Sequence, residues 1–271
     1  MVGGGVAGLS AALVLGRARR RTLLIDNDGQ SNRAAPHVGG GLSLDGTPPD
    51  ELYAAGKAQL ARYDSVVVRD GEVSEARQDG EDFVVEVDVG DAIRSKTLIL
   101  ATGMDYEVPD VPGFADHWGG AVFHCPFCHG WEVRDRRWAV YADGDMAERL
   151  TTLAGGWTED VTAVDPDEVG ELRAEGGTVQ ALVMRDGSEV PCDAVLFHAP
   201  LSRRGHLPES LGLELTEDGF VSVDDLTHTS VLGVYAAGDL AVAPQQAPIA
   251  AGSGHLAGLV AVRELLLGRT A

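Results

Sequence analysis

Basic residues are scarce in this chain: 21 Lys and Arg stand against 42 Asp and Glu, a formal net charge of −21. A surface that negative repels polyanions, so neither nucleic acid nor an anionic membrane is an expected partner. Cysteine is nearly absent, three in 271 residues. That excludes a disulfide-stapled scaffold and points to a reducing, cytoplasmic compartment in which thiols are kept for chemistry. No apolar run approaches the roughly 20 residues that span a bilayer. The N-terminus enters a glycine run at once, with no signal peptide before it.

What the chain does hold is a cysteine pair at redox spacing. His124-Cys125-Pro126-Phe127-Cys128-His129-Gly130-Trp131-Glu132 sets two thiols in a C-x-x-C. Such a pair can close and reopen a small disulfide, and usually one of its thiols has a lowered pKa that supplies a thiolate near neutral pH. Pro126 restricts the loop. His129 follows directly and can shuttle a proton at physiological pH. Zinc is the competing use, but it wants about four ligands. The third cysteine, Cys192, stands alone, and His124 and His129 share one short loop. The pattern favours Cys125 and Cys128 as a redox-active dithiol with His129 as proton carrier, and no metal. Cys192 reads as a small buried apolar residue. His37, His117, His198, His206, His228 and His255 carry no motif and read as surface or satisfied core positions.

Glycine, by contrast, is abundant at 35 residues, which suits tight turns and close backbone approach to a ligand. Gly3-Gly4-Gly5-Val6-Ala7-Gly8 is a G-x-G-x-x-G followed by an apolar helix (Leu9 to Leu15) and a strand, Thr22 to Ile25, that ends in Asp26. Gly3 suits the tight turn, Gly5 lets backbone N–H groups reach a pyrophosphate, and Gly8 lets helix pack on strand. The helix N-terminus favours the anion, and Asp26 stands where a ribose hydroxyl would be held. The strand before the glycines is reduced to Met1-Val2. The parallel sheet is therefore expected to lack its central strand, with an upstream start as the expected reason. The cluster Arg17, Arg19, Arg20 and Arg21 reads as a helix C-terminus that favours cations.

Further along, Asp50 to Tyr63 reads as an amphipathic helix, and Val66–Val68, Phe83–Val87 and Lys96–Leu100 as strands, with a turn at Asp79-Gly80. Ala101-Thr102-Gly103 closes the last of these. A second nucleotide-binding frame follows the dithiol: strand Arg137–Tyr141, helix to about Leu153, strand Val161–Val164. Its chemistry is altered. Ala142 replaces the first glycine, and Asp143 and Asp145 place negative charge where a pyrophosphate would lie. Asp165-Pro166-Asp167-Glu168 offers no Arg for a 2′-phosphate. These residues argue against a working NADPH site. The rest of this segment reads as one possible helix and a hairpin around Asp186-Gly187. Val231 to Asp239 is then a strand ending in Gly-Asp, and Gln245-Gln246-Ala247-Pro248 leads into a glycine-bearing helix, roughly Ile249 to Leu267. Asp239 could hold a ribitol hydroxyl, and the helix start could face a flavin carbonyl.

The fold expected is α/β: two Rossmann-like domains, the second inserted in the first and shortened, over residues 1–112, 113–200 and 201–271. In their order, G-x-G-x-x-G, A-T-G, C-x-x-C and A-A-G-D (Ala236–Asp239), with the tail from Gln246-Ala247 to Gly252-Ser253-Gly254, resemble the low-molecular-weight thioredoxin reductases over essentially the whole chain. The finer resemblance is to the C-P-[FY]-C-H-G-[YW]-E branch, which includes the dithiol oxidases of gliotoxin and holomycin type. The resemblance implies FAD held by Gly3, Gly5, Gly8, Asn32, Asp26, Asp239, Gln246 and Ala247. It implies that Cys128 faces the flavin while Cys125 exchanges with substrate, and that the protein is a homodimer. The expected activity is an FAD-dependent dithiol–disulfide oxidoreductase used mainly as an oxidase with O₂, with a small-molecule dithiol or disulfide or a thioredoxin-like protein as partner. The alternatives are an NAD(P)H-dependent reductase of a thioredoxin-like protein and a catalytically silent scaffold.

Overall fold

Met1, Val2 and Gly3 have backbone partners on both sides. The Val2 N–H donates to Ile99 at 3.0 Å and its carbonyl accepts from Ala101 at 2.8 Å; opposite, the Gly3 N–H donates to Ile25 at 2.8 Å and the Met1 carbonyl accepts from Ile25 at 3.0 Å. Val2 thereby bridges in parallel to Leu100 and to Ile25. The structure, a computed structural model, describes residues 1–88 and 91–268. The expected loss of the central strand is thus corrected. A ladder needs paired backbone groups rather than length, and these three residues supply them on both edges. The parallel sheet runs 66–70, 22–26, Val2, 98–100, 234–236.

This sheet belongs to the first of two compact units, which gathers residues 1–31, 50–105 and 202–271. Helix Val6–Arg17 is apolar on nearly every side because it packs against sheet and helix at once. Its main neighbour is helix Ala247–Leu267. A Cβ on Gly254 would stand 2.0 Å from the Ala7 carbonyl oxygen, and one on Gly258 2.8 Å from that of Ala11. Glycine at these two positions lets the helix backbones touch. Helix 247–267 also has the length and apolar composition to cross a bilayer, which corrects the reading that no stretch does. Its buried face, with Gly254, Ala257, Gly258 and Ala261, is protein core here. The expected helix at 50–63 is present as Pro49–Leu60, and strands 73–79, 82–87 and 91–95 form an antiparallel sheet.

The second unit gathers residues 32–49 and 106–201. Segment 32–49, placed with the first domain in the sequence reading, groups here because its backbone lies against the dithiol turn, as described below. A parallel sheet in the order 161–164, 138–141, 194–197, 122–123 carries the unit. The helix expected after residue 164 is not formed. Residues 169–175, 178–184 and 189–191 make an antiparallel sheet instead. The two-residue turn Gly176-Gly177, with φ of +58° and +81°, is the left-handed pair that a tight hairpin demands. Val169, Leu172, Val179 and Leu182 then point into a core with Phe114, Val122, Phe197 and Cys192. The Asp186-Gly187 turn falls where expected, between the second and third of these strands.

One buried polar network deserves a quantitative test. Glu264, on helix 247–267, accepts from the buried Tyr235 hydroxyl at 2.5 Å and pairs with His228 Nε2 at 2.5 Å, while His228 Nδ1 meets Asp224 at 2.8 Å. Partial burial pulls the His228 pKa down, but hydrogen bonds to Asp224 and Glu264 outweigh it and the net shift is upward. A raised histidine pKa contributes stability that is present below the unfolded value and lost as pH rises through the folded one. The melting temperature of the native chain should therefore exceed that of Glu264→Gln most at pH 6, and the gap should narrow as the pH is raised to 9.

Candidate active site

The glycine run tests the pyrophosphate reading residue by residue. Gly3 has φ +97°, and a Cβ there would stand 2.2 Å from the Ala101 carbonyl oxygen; a Cβ on Gly8 would stand 1.9 Å from that of Gly3. Backbone fills both spaces. Gly5 differs: the nearest atom to an added Cβ is Gln30 Cγ at 3.9 Å. Room is left open beside Gly5, which caps helix 6–17 without a side-chain bond, and the first N–H groups of a helix have no partner within it. A pyrophosphate fits that cradle by shape and by charge.

Asp26 ends strand 22–26 as expected and is 3% exposed. Its oxygens accept from the Gly4 N–H at 3.0 Å and the Gln30 amide at 3.1 Å, and pair with Lys57 at 3.1 Å. Any ribose contact would thus be a further claim on a carboxylate that already ties the glycine turn to helix 49–60. Asp239 is the opposite case. It follows strand 234–236 in a short turn, and no donor among the described residues bonds it. Desolvation pushes its pKa up to about 6, against the pull of Arg204. A ligand hydroxyl would supply the missing donor. Thr102 Oγ1 in the A-T-G and Gln245 Nε2 before the last helix are among the polar atoms of this unit buried without a partner, as are Arg203 Nε and Thr227 Oγ1. Gln246 caps helix 247–267 and Ala247 opens it. Sequence reasoning chose Gln246 and passed over Gln245 and Thr102; burial, which the sequence does not print, distinguishes them. Asn32 lies in the turn 31–34, grouped with the second unit rather than with the glycine loop.

The dithiol sits where parallel strands conventionally present ligands, beyond the carboxyl end of a strand. Strand 122–123 runs straight into His124 and Cys125, and one helical turn, Pro126–His129, follows. The N–H groups of Cys128 and His129 both donate to the Cys125 carbonyl at 3.1 Å. That turn brings the two cysteine Cα atoms to 5.3 Å, and the disulfide Cys125–Cys128 is closed. Both cysteines are half-buried. Phe127 projects at 62% exposure and Trp131 at 66%, the latter beneath Arg134.

His129 lies with its ring on Phe123, centroids 5.6 Å apart. Its Nδ1 is 3.4 Å from the Cys125 carbonyl. A carbonyl can only accept, so Nδ1 carries the proton and Nε2 is the free lone pair. Nε2 is buried and has no hydrogen-bond partner. Burial lowers the His129 pKa overall, against smaller raising effects from the Cys125 carbonyl and from Glu132. The result is an imidazole held toward its neutral form, with the Cys125 and Gly119 carbonyls as nearby acceptors and no donor on Nε2. His124, before the pair, is pushed down to about 4 by burial and by the other imidazoles, and its ring packs on Tyr106 and Trp118. His37, which carried no motif, pairs with Glu132 at 3.0 Å. Among the described residues no cluster of side chains could hold a metal ion.

The altered nucleotide loop in the second unit is built as the sequence suggested. Ala142 is buried, and helix Gly144–Ala154 begins with Asp143 as its cap and Asp145 in its first turn. Asp165 accepts from the Asp167 N–H at 2.9 Å. Carboxylates thus stand where the first loop offers bare N–H groups.

Two consequences can be measured. Gly5→Ala should leave the apoprotein melting temperature within about 3 °C yet weaken FAD binding at least about tenfold, roughly 1.4 kcal/mol; Gly8→Ala should lower both. Asp239→Asn should raise apoprotein stability at pH 7.5, because a carboxyl with a raised folded pKa loses stability as pH rises. That gain should shrink as the pH falls below 6 and be absent near pH 4, while FAD binding weakens.

Comparison with known proteins agrees with this geometry. The family model described as pyridine nucleotide-disulphide oxidoreductase matches residues 1–158 and 157–254. The thioredoxin reductase tcpT of Claviceps purpurea is 31% identical, over 98% of this chain and 93% of its own length. The crystal structure of an oxidoreductase from Agrobacterium tumefaciens superposes with a TM-score of 0.91 at 31% identity, covering 99% of this chain and 98% of that one. That of HlmI gives 0.93 at 30%, covering 98% and 91%. The chain belongs to the pyridine nucleotide-disulphide oxidoreductase family and is an FAD-dependent disulfide oxidoreductase of α/β fold.

Proposed function

We propose that this enzyme oxidises a small dithiol to its disulfide, with O₂ as final acceptor. The observation that carries the reading is the closed Cys125–Cys128 disulfide beside an imidazole whose Nε2 is free to take a proton. His129 removes the proton from an incoming substrate thiol. The thiolate attacks Cys125, forming a mixed disulfide and releasing Cys128 as thiolate. The second substrate thiolate displaces Cys125, and the substrate leaves as a disulfide with two protons and two electrons left on the enzyme. Bound FAD would supply the acceptor for the electron pair left on the Cys125–Cys128 dithiol and the route by which it reaches O₂, giving H₂O₂. His129 returns its proton when a thiolate has to leave.

Gly3, Gly5, Gly8, Asp26, Asn32, Asp239, Gln246 and Ala247 are proposed as the FAD-binding residues. NADPH is proposed to be a poor reductant: Asp143 and Asp145 meet its pyrophosphate with like charge at the helix start. A cytoplasmic homodimer completes the reading, and the exposed Leu259, Leu266 and Leu267 of the last helix offer apolar surface for a second copy.

Anaerobic mixing of the FAD-loaded enzyme decides between directions. A dithiol should bleach the visible flavin absorbance rapidly and NADPH or NADH should not; rapid bleaching by NADPH would make the enzyme a reductase. Cys125→Ser should lower dithiol turnover by roughly a thousandfold or more, with FAD still bound.

A further inference from the structure

Glu132 closes the cysteine motif, and nothing in the mechanism above uses it. Its position is defined from two sides. Its N–H donates to the His129 carbonyl at 3.2 Å, so it belongs to the turn that carries the imidazole. Its carboxylate meets His37 Nε2 at 3.0 Å, and His37 comes from the separate segment 32–49.

That segment is seated on the dithiol turn by backbone contact. A Cβ on Gly39 would stand 2.3 Å from the Cys128 carbonyl oxygen, and one on Gly119 would stand 2.5 Å from the backbone of Ala34. Residues 38–47 close on themselves through Val38 and Thr47, and the Gly40 N–H donates to Asp45 at 2.8 Å.

We propose that Glu132 is a positioning residue that sets the proton affinity of His129, and that His37 is its counterweight. The negative charge of Glu132 favours the imidazolium form of His129. His37 withdraws that charge by hydrogen bonding to the same carboxylate and, when protonated, opposes a proton on His129 directly. The groups that face His129 are Glu132, His37, His124, the Cys125 and Gly119 carbonyls and the Phe123 ring. Of the titratable ones, Glu132 alone favours the charged form. With His37 on Glu132 the His129 imidazolium is the stronger acid, and without that contact the imidazole is the stronger base. Dithiol exchange needs both in turn, since the proton taken from the entering thiol has to be handed to the leaving one.

This inference rests on His129 being the proton carrier, and its test separates the two claims. The FAD-loaded full chain, labelled with ¹³C-histidine, is titrated by NMR, with the His129 resonance assigned by its loss in His129→Gln. Glu132→Gln should move the His129 midpoint to lower pH, His37→Gln should move it to higher pH, and Glu132→Asp should restore the native value. Opposite shifts in two variants on one contact are not what simple loosening of the turn produces. Shifts of the same sign, or none, would overturn the proposal. In parallel, the pH profile for iodoacetamide alkylation of the reduced cysteines should shift in the same two directions. NMR shifts without a matching move in that profile would leave the coupling standing and remove His129 as the base.

Discussion

A side chain at residue 8 would have to share space with the Gly3 carbonyl, and one at residue 3 with that of Ala101. The same exclusion recurs where Gly254 lies on Ala7 and where Gly39 lies on Cys128. Backbone packed directly on backbone is the constraint on which both units depend. It seats helix 6–17 on helix 247–267 and brings the glycine turn under the sheet end. It also presses segment 32–49 onto the redox turn. Overpacking a tight interior contact costs about 1–3 kcal/mol, and here the displaced neighbour is main chain, which has no rotamer to escape into. Within the run Gly3, Gly4, Gly5 and Gly8, Gly5 is the exception, with Gln30 Cγ at 3.9 Å as the nearest atom to an added Cβ.

Polar groups follow a matching division. Glu264 is 8% exposed and fully engaged, with Tyr235 and His228 on its two oxygens. Asp239, Thr102 Oγ1 and Gln245 Nε2 in the same unit have no such partners, nor do His124 Nδ1 and His129 Nε2 around the dithiol. An unsatisfied buried group costs roughly 1–3 kcal/mol. The Glu264 carboxylate is satisfied, whereas these atoms, with Thr151 Oγ1, Arg203 Nε and Thr227 Oγ1, are left open among the described residues. The acidic surface fits this division. Its net charge of −21 leaves association with polyanions unfavourable and places no demand on the interior.

Much of this was legible beforehand, because the motifs require particular chemistry at particular spacings. Three glycines in G-x-G-x-x-G, a C-x-x-C and a Gly-Asp at a strand end each admit few physical uses, and their order along the chain restricts them further. Less was legible where local pattern is ambiguous. After Val164 the pattern suggests one possible helix and a hairpin around Asp186-Gly187; the hairpin is present, but Gly176-Gly177 adds a further strand in place of the helix. The two-residue Met1-Val2 looked too short for a strand, yet paired on both sides.

The sequence by itself determined the fold class and singled out the glycine turn and the cysteine pair Cys125 and Cys128 as candidates, since each follows from local backbone needs and side-chain reactivity. Tertiary structure alone decided which acid is available. Asp26 is occupied by Gly4, Gln30 and Lys57, and Asp239 is open, although both follow a strand and look alike in sequence. It alone decided that His129 presents Nε2, because the Cys125 carbonyl fixes the other nitrogen. It alone brought His37 to Glu132 across 95 residues. Burial and hydrogen-bond partnership are properties of what lies next to a residue in space, and no spacing rule along the chain encodes them.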